Sequence, residues 1–249
     1  MLCGMKHNAK FVLMRGLLRD ARHWGDFADL LQRRFPDTEI ITPDIPGNGR
    51  LHHLTSPASI TAMTEALRNQ VALRRQLNIV AISMGAMIAI DWMTRYPDEV
   101  QSAVLINTSA KPLSPFYHRM RLAAYPQIVK MLFHSPVRRE ADILALTSNK
   151  YSNDKALLEI WQAWQKQSPV SFSNAIKQLL AAVRFSIHMR PKQPVLVVAC
   201  KTDRLVDYRS SIQLAQFFQA EYLQHDTAGH DLPLDDPEWL AGVIHKWIV

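Results

Sequence analysis

Six short runs rich in valine, isoleucine and leucine, separated by longer stretches of helical spacing, set the tightest limit on what this chain can fold into. They lie at 11–14, 39–42, 78–82, 103–107, 195–199 and 222–224. Runs this short read as strands buried on both faces, the mark of a parallel sheet. Between them apolar residues recur every three or four positions, as in Phe27, Leu30, Leu31 and Phe35, or in Ile60, Met63, Leu67 and Val71 behind a capping Ser59. Strand and helix in alternation predict an α/β fold, a mostly parallel doubly wound sheet with helices on both faces. With 249 residues the chain can build one sizeable core without disulfide or metal staples.

The alternation fails once. Between 111 and 192 no strand pattern appears, and the helical spacing is interrupted at Pro126, Pro136 and Pro169. This predicts a helical cap or lid, 111–192, inserted into a core formed by 1–110 and 193–249. The net charge of +7 is unevenly divided, because 111–192 holds 13 Lys and Arg against 4 Asp and Glu, while the rest of the chain is slightly acidic. The basic character therefore belongs to the insertion. With no recognition motif to go with it, nucleic-acid binding is not expected, and a carboxylate, a carrier-linked thioester or an acidic carrier protein stands against a merely solvated basic face.

Cys3 and Cys200 belong to no Cys/His cluster, so both read as free thiols in a reducing compartment and no cysteine-based metal site is expected. The N-terminal apolar stretch is too short for a secretion signal, and no run approaches the roughly 18–20 residues of a membrane span. A cytoplasmic location is the expectation. His52 and His53 are adjacent, point different ways and make a poor metal pair.

The chemistry concentrates at three strand ends. In Asn78-Ile-Val-Ala-Ile-Ser83-Met-Gly85 a strand turns abruptly into an apolar helix, and the small Ala81 and Gly85 flank Ser83 where such a turn crowds its neighbours. A serine at a helix start is placed where backbone N–H groups favour developing negative charge. Asp203 follows the fifth strand, with Asp207 as a rival, and His230 follows the sixth in Thr-Ala-Gly-His-Asp. Each candidate follows the carboxyl end of a strand, where open α/β sheets hold their reactive groups. Ser83, Asp203 and His230 thus stand in the order of a Ser-Asp-His triad.

With those residues in view, the chain resembles the α/β-hydrolase-fold serine hydrolases, carboxylesterase- and thioesterase-like members with a helical cap. Phe11-Val-Leu-Met-Arg15-Gly16-Leu17 with His23-Trp24 is similar to that family's strand, His-Gly turn and downstream Trp, and Asp44-Ile-Pro-Gly47-Asn-Gly49 to its D-x-P-G-x-G turn. The resemblance implies an acyl-enzyme on Ser83, proton transfer by His230, orientation of the imidazole by the acid, and an oxyanion held by the N–H groups of Leu17 and Met84, with no metal or other cofactor. Two positions depart from the pattern. Arg15 replaces the usual His, setting a fixed positive charge near the site or else turning to solvent, and Leu51 replaces a small hydroxyl residue. Arg15, Phe116, Tyr117, Met120, Phe133, Trp161 and Trp164 are candidates for the substrate pocket. The same triad could also run acyl transfer or C–C cleavage, and the fold also carries non-hydrolytic binding proteins.

Overall fold

The structure, a computed structural model, describes residues 10–72 and 74–249, so Cys3 and the start of the N-terminal segment lie outside the described residues. Its sheet has six strands: β1 (Lys10–Met14), β2 (Glu39–Ile41), β3 (Leu77–Ile82), β4 (Val100–Ile106), β5 (Val195–Cys200) and β6 (Glu221–His225). They pair in the order β2-β1-β3-β4-β5-β6, and every pairing is parallel. Each predicted run falls on one strand. The largest discrepancy is at β4, which begins three residues earlier than its apolar run because Ser102 interrupts the hydrophobic pattern; inside the sheet its hydroxyl donates to Asn78 Oδ1 at 2.6 Å.

The period of two along each strand sorts side chains into two cores. Val12, Met14, Ile79, Ala81, Leu105 and Val197 face one side, and Phe11, Leu13, Val80, Ile82, Val104 and Leu196 the other. Helices α1 (Asp26–Arg34), α2 (Ile60–Arg68) and α3 (Met84–Arg95) connect the first four strands. After β4 come α4 (Phe116–Arg119), α5 (Tyr125–Leu132), α6 (Pro136–Thr147), α7 (Lys155–Gln167) and α8 (Phe172–Arg184). Helix α9 (Tyr208–Phe218) joins β5 to β6, and α10 (Leu232–Asp235) and α11 (Pro237–Ile248) close the chain. The first core packs under α2, α3 and α9 and the second under α1 and α11. Ser59 caps α2 as its position predicts, accepting from the Ala62 N–H at 3.2 Å.

The excursion from β4 to β5 is helical. Among its described residues the one strand-like pairing is the bridge between Lys111 and Ser186. No described helix is long and apolar enough to cross a membrane. Because the chain steps outward from β1 to β2 and returns past β1 to β3, the strand order reverses between β1 and β3, and a crevice opens above their carboxyl ends.

Gly85 allows α3 to start against that crevice. A Cβ there would meet the backbone carbonyls of Met14 and Arg15, the latter at 2.6 Å, whereas one at Gly242 in α11 would touch only the flexible end of Arg34 at 3.9 Å. Gly85→Ala should therefore lower the unfolding free energy by about 2–3 kcal/mol, and Gly242→Ala should raise it by about 0.5–1 kcal/mol through the helical backbone entropy of glycine. Urea denaturation of both variants checks this; a Gly85→Ala protein as stable as the parent would contradict the close approach.

Candidate active site

Strand β3 ends at Ile82 and α3 begins at Met84, so Ser83 alone makes the turn. Its φ of 57° with ψ of −122° is a backbone state that non-glycine residues seldom occupy. Hydrogen bonds at both its backbone N–H and its carbonyl hold it. The Ser83 N–H donates to Ile106 O at 2.9 Å, and its carbonyl accepts from Ala86 N–H at 3.0 Å and Thr108 Oγ1 at 2.9 Å. Gly16, at the end of β1, faces the serine so closely that a Cβ on it would lie 3.0 Å from Ser83 Cβ. The glycines at 16 and 85 thus answer a steric need.

His230 follows β6, and its Nδ1 lies 2.7 Å from Asp203 Oδ2. The other Asp203 oxygen accepts from the N–H groups of Leu205 at 2.7 Å and Val206 at 3.0 Å, which fixes the carboxylate in its loop. Both side chains are buried, Asp203 at 2% and His230 at 5% exposure. With the carboxylate accepting at Nδ1, the neutral ring leaves Nε2 unprotonated. Asp207 is engaged elsewhere: it caps α9 through Arg209 N–H at 3.0 Å and pairs with the guanidinium groups of Arg209 and Arg121 at 2.7 and 3.6 Å. The Arg209 hydrogen bond brings its carboxyl down to about 2. The structure thus joins Asp203, not Asp207, to His230.

Ser83, His230, Leu17 and Met84 line one cavity of about 200 Å³ over the reversal point of the sheet. Among the described residues neither the Leu17 nor the Met84 N–H has an acceptor within the protein, as suits a pair of donors left for a ligand. The loop that presents Leu17 is fastened from α8: the fully buried Gln178 accepts from Leu18 N–H at 3.0 Å and donates to Asn48 Oδ1 at 2.7 Å and Ser56 Oγ at 2.9 Å.

The loop that presents His230 is fastened on every side. Asn107, at the end of β4, donates to His230 O at 2.8 Å and accepts from Cys200 N–H at 2.8 Å. Buried Asp235 accepts from the N–H groups of Gly229 at 2.6 Å and Asn149 at 2.9 Å and from Ser148 Oγ at 2.5 Å, while Asp231 N–H donates to Thr147 O at 2.8 Å. Asn107, Gln178 and Asp235 carry no motif signal; only their partners, far away in sequence, reveal them.

Arg15 does not turn to solvent. It forms a two-pronged ion pair with Asp231, 3.0 and 2.5 Å, and its guanidinium lies 5.0 Å from the centre of the Trp24 ring. Burial pushes the Asp231 carboxyl up and the Arg15 charge pulls it down; the second effect wins and holds the group below the ordinary carboxylate range. Arg15 borders the cavity, but its charge is spent on the residue beside His230.

The aromatic pocket is corrected. Of the candidates, Arg15 and Met120 line the cavity, whereas Phe116, Tyr117, Phe133, Trp161 and Trp164 do not. Helix α4 is a single turn at the surface, where Phe116 is 66% exposed and its ring packs on that of Tyr117, and Phe133 is 85% exposed. Trp161 and Trp164 embrace His23, with ring centres 5.1 and 5.2 Å away, and cover the guanidinium groups of Arg19 and Arg22. The apolar lining is mostly aliphatic instead, drawn from Ile128 and Met131 of α5, Ile143 and Leu146 of α6 and Leu179 of α8, with Phe172 at the start of α8 beside them.

A family model described as alpha/beta hydrolase fold matches residues 11–237. A homoserine O-acetyltransferase of Pelobacter propionicus is 35% identical over 101 residues, 39% of this chain and 26% of that protein, so the match spans about a quarter of that relative. RutD of Rhizobium rhizogenes, provisionally named a carbamate hydrolase, is 26% identical over 240 residues, 91% of this chain and 87% of that one. A thermophilic esterase from Thermogutta terrifontis superposes with a TM-score of 0.75 at 19% identity, over 97% of this chain and 89% of its own, a likeness of fold.

The Arg15–Asp231 pair has a testable consequence. Arg15→Met leaves a buried carboxylate alone and should destabilise the fold by about 3–5 kcal/mol, most of it restored in Arg15→Met/Asp231→Leu. Since the folded-state value of Asp231 is lowered, its stabilisation is full above the unfolded carboxyl pKa of about 4 and is lost as pH falls through the folded value. Urea midpoints at several pH values between 2 and 6 should drop toward acid in the parent, with a smaller drop in the double variant.

Proposed function

The chain belongs to the alpha/beta hydrolase fold family, and on that premise we propose that it is a serine hydrolase that cleaves a carboxylic ester or thioester of a small molecule. One observation carries the reading: a serine held at positive φ on a strand-to-helix turn shares a cavity with a histidine whose far nitrogen is bonded to a buried aspartate. Ser83 Oγ attacks the acyl carbonyl as His230 Nε2 takes its proton; His230 then hands the proton to the leaving group. Asp203 keeps the ring in the tautomer that leaves Nε2 free and stabilises the imidazolium that forms. The Leu17 and Met84 N–H groups receive the oxyanion, a stabilisation of roughly 3–4 kcal/mol per donor. Water attacks the acyl-enzyme in the second half, with His230 as base. The helices of 111–192 act as a cap, α5, α6 and α8 supplying the apolar wall that holds the acyl chain.

Transfer of the acyl group to an alcohol is the second reading, supported by the local similarity to the homoserine O-acetyltransferase. Turnover in water alone, against turnover that requires an added alcohol acceptor, separates the two. Equal labelling by a fluorophosphonate of parent and Ser83→Ala protein, or none of either, would overturn both.

The expected result is one probe molecule per chain in the parent and none in Ser83→Ala. Asp203→Asn should lower kcat on a p-nitrophenyl ester by about 10⁴-fold, because it frees the wrong tautomer. Asp207→Asn keeps the capping oxygen, so it should leave kcat unchanged and cost at most about 1 kcal/mol through the weakened pairs with Arg209 and Arg121. Steady-state rates of the two variants side by side check the assignment of the acid.

A further inference from the structure

Four arginines line the cavity that holds Ser83 and His230, and they are not alike. Two are neutralised by buried acids: Arg15 by Asp231, and Arg19 by Glu140 at 2.6 Å. The other two are Arg119 and Arg139. Among the described residues no carboxylate comes within ion-pair distance of either. Arg119 reaches into the cavity from the end of α4 and is steadied by two carbonyls at the C-terminal end of α8, donating to Val183 O at 3.1 Å and Ala182 O at 2.8 Å; its buried Nε has no partner. Arg139, in the first turn of α6, uses Nε on His134 O at 3.1 Å, and among the described residues its two terminal nitrogens have no acceptor.

Carbonyl dipoles orient a guanidinium without cancelling its charge, and a cation drawn out of water is costly unless an anion meets it. Burial accordingly draws the Arg119 pKa below its ordinary value. The fold neutralises two of the four arginines with buried carboxylates and leaves the other two, on different helices, facing the same aliphatic space as Met120, Met131 and Ile143. A planar guanidinium with free N–H groups is shaped for a carboxylate.

We propose that Arg119 and Arg139 form an anion subsite, and that the acyl group delivered to Ser83 ends in a carboxylate separated from the scissile carbonyl by an aliphatic spacer. This rests on the reading of Ser83 as the nucleophile and narrows its substrate class. Part of the positive excess of 111–192 thereby has a use inside the cavity, not only at the surface.

Two measurements test this, one of them independent of turnover. In the first, p-nitrophenyl monoesters of dicarboxylic acids with two to eight methylenes are compared with the same compounds methyl-capped at the free carboxyl. At the matching spacer length the free acid should have a kcat/KM at least tenfold above its neutral partner, carried by KM. Arg119→Gln and Arg139→Gln should each remove most of that preference, read as the ratio of kcat/KM for free acid to capped ester within one variant, while Arg119→Lys, which keeps the charge, should retain part of it. Equal turnover of charged and capped esters at every length, or a preference that survives both glutamine variants, would overturn the proposal. In the second, Ser83→Ala protein is titrated calorimetrically with adipate and suberate. Saturable binding abolished by adding Arg139→Gln upholds the subsite even if no ester is turned over, in which case the nucleophile reading fails and the subsite stands; absence of binding to either dicarboxylate overturns the subsite alone.

Discussion

The one-residue turn at Ser83 is the constraint around which the molecule is arranged. A strand that becomes a helix within a single residue puts that residue in a backbone state costing about 1–3 kcal/mol, and it presses the first turn of the helix against the neighbouring strand end. The sheet offsets the cost locally. Ile106 and Thr108, at the end of the adjacent strand, take up the serine's N–H and carbonyl, and glycines at 16 and 85 leave room for the approach. The same turn projects the hydroxyl above the sheet and frees the Met84 N–H. Strain and chemistry have one geometric origin.

A strained serine is useful only if its partners arrive in register, and here polar contacts between distant parts of the chain do the work that a short loop cannot do alone. Asn107 ties the ends of β4 and β5 to the His230 backbone, Arg15 reaches from β1 to Asp231, and Gln178 reaches down from α8 to the loop carrying Leu17. Each lies in buried surroundings, where a satisfied hydrogen bond is strong and an unsatisfied one is expensive. Buried pairs of this kind add less to stability than they do to uniqueness: they make one placement of the loop far better than its neighbours. Arg119 and Arg139 depart from this pattern within the same cavity, and for that reason they stand out.

The division between what is readable in the residue string and what is not follows from range. The four inner strands are readable because burial on both faces makes each a local apolar run, the half-exposed edge strands β2 and β6 show only Ile40-Ile41 and Tyr222-Leu223, and β4 reads short only where Ser102 finds its partner on another strand. Ser83, Asp203 and His230 are readable because each follows the end of its strand, and Asp203 precedes Asp207 for the simple reason that it is nearer that end. The fate of Arg15 is invisible, since its partner is 216 residues away and the string offers site and solvent equally. The pocket wall misleads for a different reason. In the sheet, periodicity defines an inside; in the helical excursion there is no such reference, so the bulk of Phe116 or Trp161 points to burial or exposure without saying against what. Aliphatic residues on α5, α6 and α8 line the cavity instead, at spacings that fit a helix face equally well toward any neighbour.

The helices that line the cavity differ in how they are tied to the rest of the chain. The C-terminal end of α6 is stitched to the His230 loop through Thr147 O and the Ser148 and Asn149 contacts with Asp235. Helix α8 is stitched to the opposite side through Gln178 and through Asn174, which accepts from Ser56 N–H at 2.9 Å and donates to Leu54 O at 3.0 Å. Helix α5, which lines the cavity with Ile128 and Met131, has among the described residues no polar tie to the loops above the sheet; its Gln127 bonds only to α6. Helices α6 and α8 are therefore held to the sheet loops by several polar ties each, while α5 has hydrophobic contact and the one bond to α6. A displacement of α5 would therefore break one side-chain hydrogen bond, Gln127 to Asp142 O, and leave every polar tie of the loops that carry Leu17 and His230 in place.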